Sequence, residues 1–208
     1  MKTAFTRMTL SVAVLLCGMW TSTSAIAVTI FSDDFNGDTA GLNATPSGWT
    51  ISNGGTVDTI ASGTFAITCA GGSGKCIDLD GSTGKSGNLV SPGLNLLAGQ
   101  TYTAFFDLSG NQRIAGQTNA VSIGFGTTTT TLSFAGNAPF STQSLSFAPL
   151  TSGTYNLSFL DGSSNNVGAM LDNVSVQAAV PEPETYAIML AALGLVSLVA
   201  HRRKAKRQ

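Results

Sequence analysis

Any chemistry between residues 28 and 179 has to be done with aspartate and cysteine. This stretch holds Asp33, Asp34, Asp38, Asp58, Asp78, Asp80, Asp107, Asp161 and Asp172, with no glutamate and no histidine. The one histidine of the chain, His201, sits seven residues before the last residue, Gln208. Without a histidine there is no Ser–His or Cys–His nucleophile to assemble, and zinc lacks its commonest nitrogen ligand. The remaining route is a carboxylate pair acting on a glycosidic bond. Asp78 and Asp80 lie on one side of a strand, about 7 Å apart by strand rise. That spacing recurs in strands of every kind, so the chain reads as non-catalytic, with glycoside hydrolysis as the one enzymatic alternative.

Cys69 and Cys76 form an even pair joined by a Gly-rich loop, Ala70-Gly71-Gly72-Ser73-Gly74-Lys75. In an exported protein such a pair reads as a disulfide. Asp78-Leu79-Asp80-Gly81-Ser82-Thr83-Gly84 has the look of a calcium loop, but Thr83 stands at the sharp-turn glycine and Leu89 at the bidentate glutamate. It reads instead as a strand end running into a polar turn. Period-two alternation puts Asp172 on the same side as Met170, Val174 and Val176, the apolar side. An inward carboxylate needs a partner: either a cation or the amides of a nearby turn. Lys85 and Arg113 have no assigned partner and read as solvated.

The elements that position these groups are strands. Short alternating apolar runs occur at 49–51, 64–69 (TFAITC), 76–80 (CIDLD), 102–108 (YTAFFDL), 120–125, 130–134, 144–147, 155–160 and 170–176. Turn signals such as Gly54-Gly55, Gly71-Gly72, Ser109-Gly110-Asn111 and Asp161-Gly162 separate them. Residues 64–69 and 76–80 are expected to pair as a hairpin. No sustained helical period occurs between 28 and 179, so the class is an all-β sandwich or barrel. Trp49, Tyr102, Tyr155 and most phenylalanines fall at core positions. The threonines at 127–131 read as an edge strand or loop, because a flat ice-binding face needs a repeat that this chain lacks.

The two ends have a different character. Lys2 and Arg7 precede the apolar run LSVAVLLCGMW, and Ala25-Ile26-Ala27 supplies small residues at both A-x-A positions. Residues 1–27 are thus a signal peptide, cleaved after Ala27. Cys17 follows Leu16 rather than a small residue, which argues against a lipoprotein. At the other end, Val180, Pro181, Glu182, Pro183 and Glu184 make a stiff acidic segment, since each proline disfavours helix before it. Residues 186–200 are uncharged and apolar all round, which suits a single transmembrane helix, short for a full span. Arg202, Arg203, Lys204, Lys206 and Arg207 follow as a basic stop that would hold the C-terminus on the cytoplasmic side. Seven of the ten cations lie in these two ends, so the passenger at 28–179 keeps three against nine carboxylates, a net of −6. A nucleic-acid partner is excluded by that balance.

The order VPEP, short hydrophobic helix, HRRK over residues 180–207 resembles the PEP-CTERM sorting signal of exosortase substrates. That segment is also known as the ice-binding protein C-terminal domain. The resemblance implies a transient stay in the inner membrane, recognition by a membrane-embedded exosortase, loss of the tail, and release to the envelope or cell surface. Asp34-Phe35-Asn36-Gly37 followed by Gly48-Trp49, the central YTAFFDLSGN, and the closing Leu171-Asp172-Asn173-Val174-Ser175-Val176 resemble jelly-roll carbohydrate-binding modules and galactose-binding-like domains. That second resemblance implies first and last strands lying side by side. It also implies a structural calcium held by Asp172 with Asp34 or Asp33, with no other cofactor.

The chain therefore divides into a signal peptide (1–27), a jelly-roll-like β-sandwich (28–179) and a sorting segment (180–208), with its PEP motif at 181–183, membrane helix at 186–200 and basic tail at 201–207. The function expected is a non-catalytic envelope or matrix protein that associates with extracellular polysaccharide. A structural or adhesive surface protein without a small ligand is the alternative, and ice binding or glycoside hydrolysis lie further off.

Overall fold

Strand β7, Tyr102–Ser109, shows how this sequence makes sheet. Tyr102, Ala104, Phe106 and Leu108 are buried, while Thr103, Phe105 and Asp107 face the other way and are partly exposed. A computed structural model describes residues 27–179, 190–194 and 196. Its strands are β1 (Ala27–Asp33), β2 (Thr50–Ile51), β3 (Asp58–Ala61), β4 (Lys75–Asp78), β5 (Leu89–Val90), β6 (Leu94–Leu96), β7, β8 (Thr118–Phe125), β9 (Thr128–Ala135), β10 (Ser141–Phe147), β11 (Gly153–Tyr155), β12 (Leu157–Asp161) and β13 (Met170–Ala179). One sheet runs β10–β7–β13–β4–β3 with β1 beside β13, and the facing sheet runs β2–β5–β12–β8–β9. The small pair β11–β6 stands apart from both.

The expected first-to-last contact is present. β1 pairs antiparallel with β13, and Ala27 lies opposite Ala179. Between the sheets Trp49 packs against Phe31, Phe35 and Phe159 at 5.8, 5.7 and 6.3 Å between ring centroids. Phe106 meets Phe159 edge-on at 5.0 Å, and Phe147 bridges Phe125 and Tyr155 further along. These are the aromatics that alternation assigned to the core. Thr128–Thr131 fall in β9, the edge strand of the five-stranded sheet, and Thr127 in the turn before it.

Two expectations about the strands are corrected. Residues 64–69 do not form a strand and do not pair with 76–80. Phe65 and Ala66 have φ of 52° and 61°, which no ladder accepts, and a short 3-10 turn occupies Thr64–Ala66. β3, with its Thr59 and Ile60, takes the place beside β4 instead. Residues 62–74 then fold over the outer face of that sheet. There Ile60, Ile67, Cys69, Cys76 and Met170 make a second small core, closed by Phe140.

The parity of β13 is the other correction. Leu171, Val174, Val176 and Ala178 face the main core, whereas Met170 belongs to the small one. The register against β7 shifts between Asp172 and Ser175, and Asn173 has φ of 48°. One extra residue at this bulge reverses the alternation. Asp172 is buried, as expected, but on the face of Met170, opposite to Val174 and Val176.

Ala25, Val180–Pro183 of the sorting motif, the basic residues Arg202, Arg203, Lys204, Lys206 and Arg207, and most of the segment 186–200 lie outside the described residues. Residues 190–194 and 196 are helical, with Leu190, Leu193 and Val196 exposed. Among the described residues no helix is long and apolar enough to cross a membrane.

Candidate functional site

Asp80 is fully buried just beyond β4, and its carboxylate holds a loop in place. Oδ2 accepts the backbone amides of Asn165 at 2.8 Å and Asn166 at 2.9 Å and the Ser163 hydroxyl at 3.1 Å, while Oδ1 accepts Ser86 Oγ at 3.0 Å. Asp161, at the end of β12, accepts Ser163 N at 2.6 Å, Ala169 N at 2.6 Å and Asn119 Nδ2 at 3.2 Å. Asp58, at the start of β3, accepts Asn43 N, Ser82 N and Ser82 Oγ. Asp78 accepts the amides of Asp80 and Gly168 and pairs with Arg113 Nη2. A Cβ on Gly168 would stand 2.3 Å from Asp80 N, so only glycine lets this loop come so close.

Four buried aspartates thus satisfy the amides of turns that have no ladder of their own. Asp78 and Asp80 are 1% and 0% exposed, so neither is presented to a sugar. Arg113, expected in solvent, lies over Asp78 and also donates to Asn166 O at 3.0 Å. A buried carboxylate this close to the loop recruits the nearest cation of a cation-poor domain. Lys85 is exposed and donates to Asn53 O. Asp58, Asp161 and Arg113 escaped sequence reasoning, although Asp80-Gly81-Ser82 and Asp161-Gly162-Ser163 share one turn signature that marks two of the four carboxylates.

Burial pushes Asp78 up to about 8, against the lowering pull of the Asp80 amide, Arg113 and the Gly168 amide. Burial likewise raises Asp172 to about 6, against the amides of Asn173 and Ala70. A carboxyl held above its unfolded value near 4 binds its proton more tightly in the folded state. Stability from that source is complete below about pH 4 and is lost as pH rises, through about 6 for Asp172 and about 8 for Asp78. The urea midpoint is therefore expected to fall between pH 4 and 8, and Asp172→Asn is expected to flatten the part between 4 and 6. A midpoint that rises over this range contradicts the assignment.

Of the expected calcium ligands, Asp33 and Asp34 line one cleft, and Asp172 is not among its lining residues. A cleft of about 560 Å³ is lined by Ser32, Asp33, Asp34, Gly37, Asn173, Val174 and Ser175, where the opening segment meets the last strand. Asp34 is exposed; the Asn36 amide, at 3.0 Å, holds its carboxyl below the ordinary value. Asp33 turns away to accept Trp49 Nε1 and Phe35 N, both at 2.8 Å. Asp172 accepts Ala70 N at 3.0 Å and Asn173 N at 2.8 Å. Among the described residues the one group of three ligand-type side chains is Cys69, Cys76 and Asp172. Its cysteines are joined as a disulfide, with Cα atoms 5.5 Å apart. A calcium ion takes six to eight oxygens. The carboxylates of Asp172 and Asp33 are already committed to amide and indole donors, so these side chains do not by themselves supply a calcium shell.

On the outer face of the six-stranded sheet Ile67 and Cys69 of the segment 62–74 pack with Ile60, Cys76, Met170 and Phe140, whereas Thr103, Phe105, Ser144, Ser146 and Ser175 on β7, β10 and β13 are partly or fully exposed. On the open half Phe105 stands between Ser144 and Ser175 on the flanking strands. Beside it Asp107 accepts Thr142 Oγ1 at 2.6 Å and Asn173 Nδ2 at 2.8 Å, and Thr103 is hydrogen-bonded to Ser146 at 2.9 Å. One apolar ring framed by oriented hydroxyl, amide and carboxylate groups offers both contacts a sugar uses: a ring face and a set of hydrogen-bond partners.

Residues 179–204 match the PEP-CTERM protein-sorting motif. No curated protein matches the chain. Among solved structures the fold resembles the CBM22-1 xylan-binding domain of Xyn10C from Paenibacillus barcinonensis, with a TM-score of 0.52 and 12% identity over 77% of this chain and 100% of that one. It also resembles a cyclase from Fischerella sp. TAU, at 0.56 and 16% over 76% and 100%. A third is the CBM22-1–GH10 portion of Xyn10B from Clostridium thermocellum complexed with xylohexaose, at 0.52 and 13% over 76% of this chain and 30% of that one. At these identities the likeness establishes a shared jelly-roll-like β-sandwich fold.

Proposed function

We propose that this chain is an exported, non-catalytic envelope protein that an exosortase-type system sorts, and that its β-sandwich associates with extracellular polysaccharide. The sorting motif begins where β13 ends, and the expected signal-cleavage residue Ala27 lies opposite Ala179. Ala27 and Ala179, the described residues nearest the two expected processing points, therefore lie side by side. The match of residues 179–204 to the PEP-CTERM sorting motif supports an inner-membrane precursor anchored through 186–200 and released near Pro181–Glu184. The disulfide suits an oxidising destination.

The observation that carries the polysaccharide reading is the open half of the six-stranded sheet, where Phe105 is the outward ring between Ser144 and Ser175. The fold likeness to a xylan-binding domain adds support. Phe105→Ala removes the ring from the face without opening the core. It is expected to reduce retention of the full chain on the producer's own polysaccharide by about tenfold, the scale of a lost stacking contact. Unchanged thermal stability would accompany that loss. Equal retention of both proteins would remove Phe105 from the site, and no retention of either on any glycan fraction would remove the binding claim itself.

A further inference from the structure

The two sides of the sandwich end very differently. On one side β2 has two residues, β3 has four and is bridged through Thr59 to Gly41, and β1 is bulged between Thr29 and Phe31. Short, covered and bulged edges resist pairing with another chain. The opposite side ends in β9 and β10, eight and seven residues long, each in unbroken register with its neighbour. Neither strand contains a charge or a proline. Among the described residues, β9 makes one backbone hydrogen bond outside its ladder with β8, accepted by Ala135 O from Ala138 N.

We propose that β9 is the docking edge for a second copy of this chain, with two β9 strands pairing antiparallel about a two-fold axis to join two five-stranded sheets into one. Charge points to a second copy. Residues 114–160 carry no Asp, Glu, Lys, Arg or His, although the passenger has a net charge of −6. Two like-charged copies can meet across this side, where no pair of carboxylates is forced together, and an ionic partner finds nothing here to recognise.

The chemistry of the strand is self-complementary. Thr129, Thr131 and Ser133 are exposed on its outer row, and their side chains form no hydrogen bond among the described residues. Leu132 and Phe134 on its inner row are only partly buried against the core. A paired copy supplies cross-strand threonine contacts to the first row and covers the second. A two-fold contact places the same strand on both sides, as isologous interfaces require.

The edge is also held in place. At the turn after β9, Gly136 N donates to Gln117 O at 2.6 Å, Gln112 N donates to Gly136 O at 2.7 Å and Gly110 N donates to Ala138 O at 3.0 Å. A Cβ on Gly136 would stand 2.0 Å from Ile114 O. The strand is thus offered as a rigid template, which lowers the ordering cost of association.

The test is the mass of the full chain in mild detergent over a concentration series, with amide hydrogen exchange followed in β9. A dimer at high concentration is expected, with exchange in β9 slowing as it forms. Thr131→Lys sets like charges across the two-fold axis and is expected to weaken association by about tenfold or more, with the circular dichroism unchanged. Ser133→Lys is expected to act the same way, and Ser73→Lys, exposed in the loop over β3 and β4, to leave association unchanged. A single unassociated mass at all concentrations overturns the proposal. So does a dimer that survives Thr131→Lys with β9 exchange independent of concentration, because its contact then lies elsewhere, as in the C-terminal segment.

Discussion

Asp80→Ala is expected to destabilise the domain by on the order of 2–4 kcal/mol, the scale of losing a buried acceptor that several donors share. The carboxylate holds the amides of Asn165 and Asn166 and the hydroxyls of Ser86 and Ser163, all within 3.1 Å. Alanine removes the acceptor from a fully buried position, and the loop between β12 and β13 has no ladder to replace it. Asp80→Asn keeps a carbonyl acceptor of the same size and is expected to lose less than half as much. Urea unfolding of the wild type and the two variants checks the order. A domain of this kind has about 5–15 kcal/mol of stability in all, so the alanine variant is expected to be partly unfolded at 37 °C. Equal stability of the alanine variant and the wild type would mean that the network is decoration.

The second large effect concerns the disulfide. Replacing Cys69 and Cys76 together by alanine is expected to cost about 2–3 kcal/mol from the lost closure of a loop with a sequence separation of 7. For a domain near 150 residues that corresponds to a fall of roughly 5–10 °C in Tm. The damage is expected to be local. The loop that carries Cys69 roofs the small core of Ile60, Ile67 and Met170, and its Ala70 amide is bound to Asp172. Hydrogen exchange should therefore rise in residues 62–74 and stay low in β7 and β12. Reductant acting on the wild type should reproduce the shift once the domain is loosened enough to expose the buried sulfurs. A uniform rise in exchange over both sheets would show that the bond supports the whole sandwich and not one lobe.

The two effects have different roots. The disulfide acts on the unfolded chain, whereas Asp80 acts on the folded one by holding the donors of a turn that has no ladder. Both fasten loops to the outer margin of the six-stranded sheet, and β7 and β13 carry the rest.

Much of this was legible in the linear chain. Alternation of period two gave the sheet-forming runs and the core ring of Trp49, because side-chain direction in a strand is set by the residue next door. Composition gave an acidic passenger without histidine, and the unpaired chemistry of two cysteines gave the disulfide. The order of proline, grease and cations at the end gave the sorting segment, since each part needs only its own few residues. Contacts between distant residues decided the rest. A single extra residue at Asn173 turned Asp172 to the opposite face of the sheet, which no count along β13 could reveal. Thr59 and Ile60, rather than residues 64–69, lie beside β4 because Phe65 and Ala66 adopt a left-handed backbone. Arg113 is drawn to Asp78 across a separation of 35 residues. Local preference fixes which residues can be strand; burial shared between distant segments fixes which strand lies beside which, and on which face each charge must find its partner.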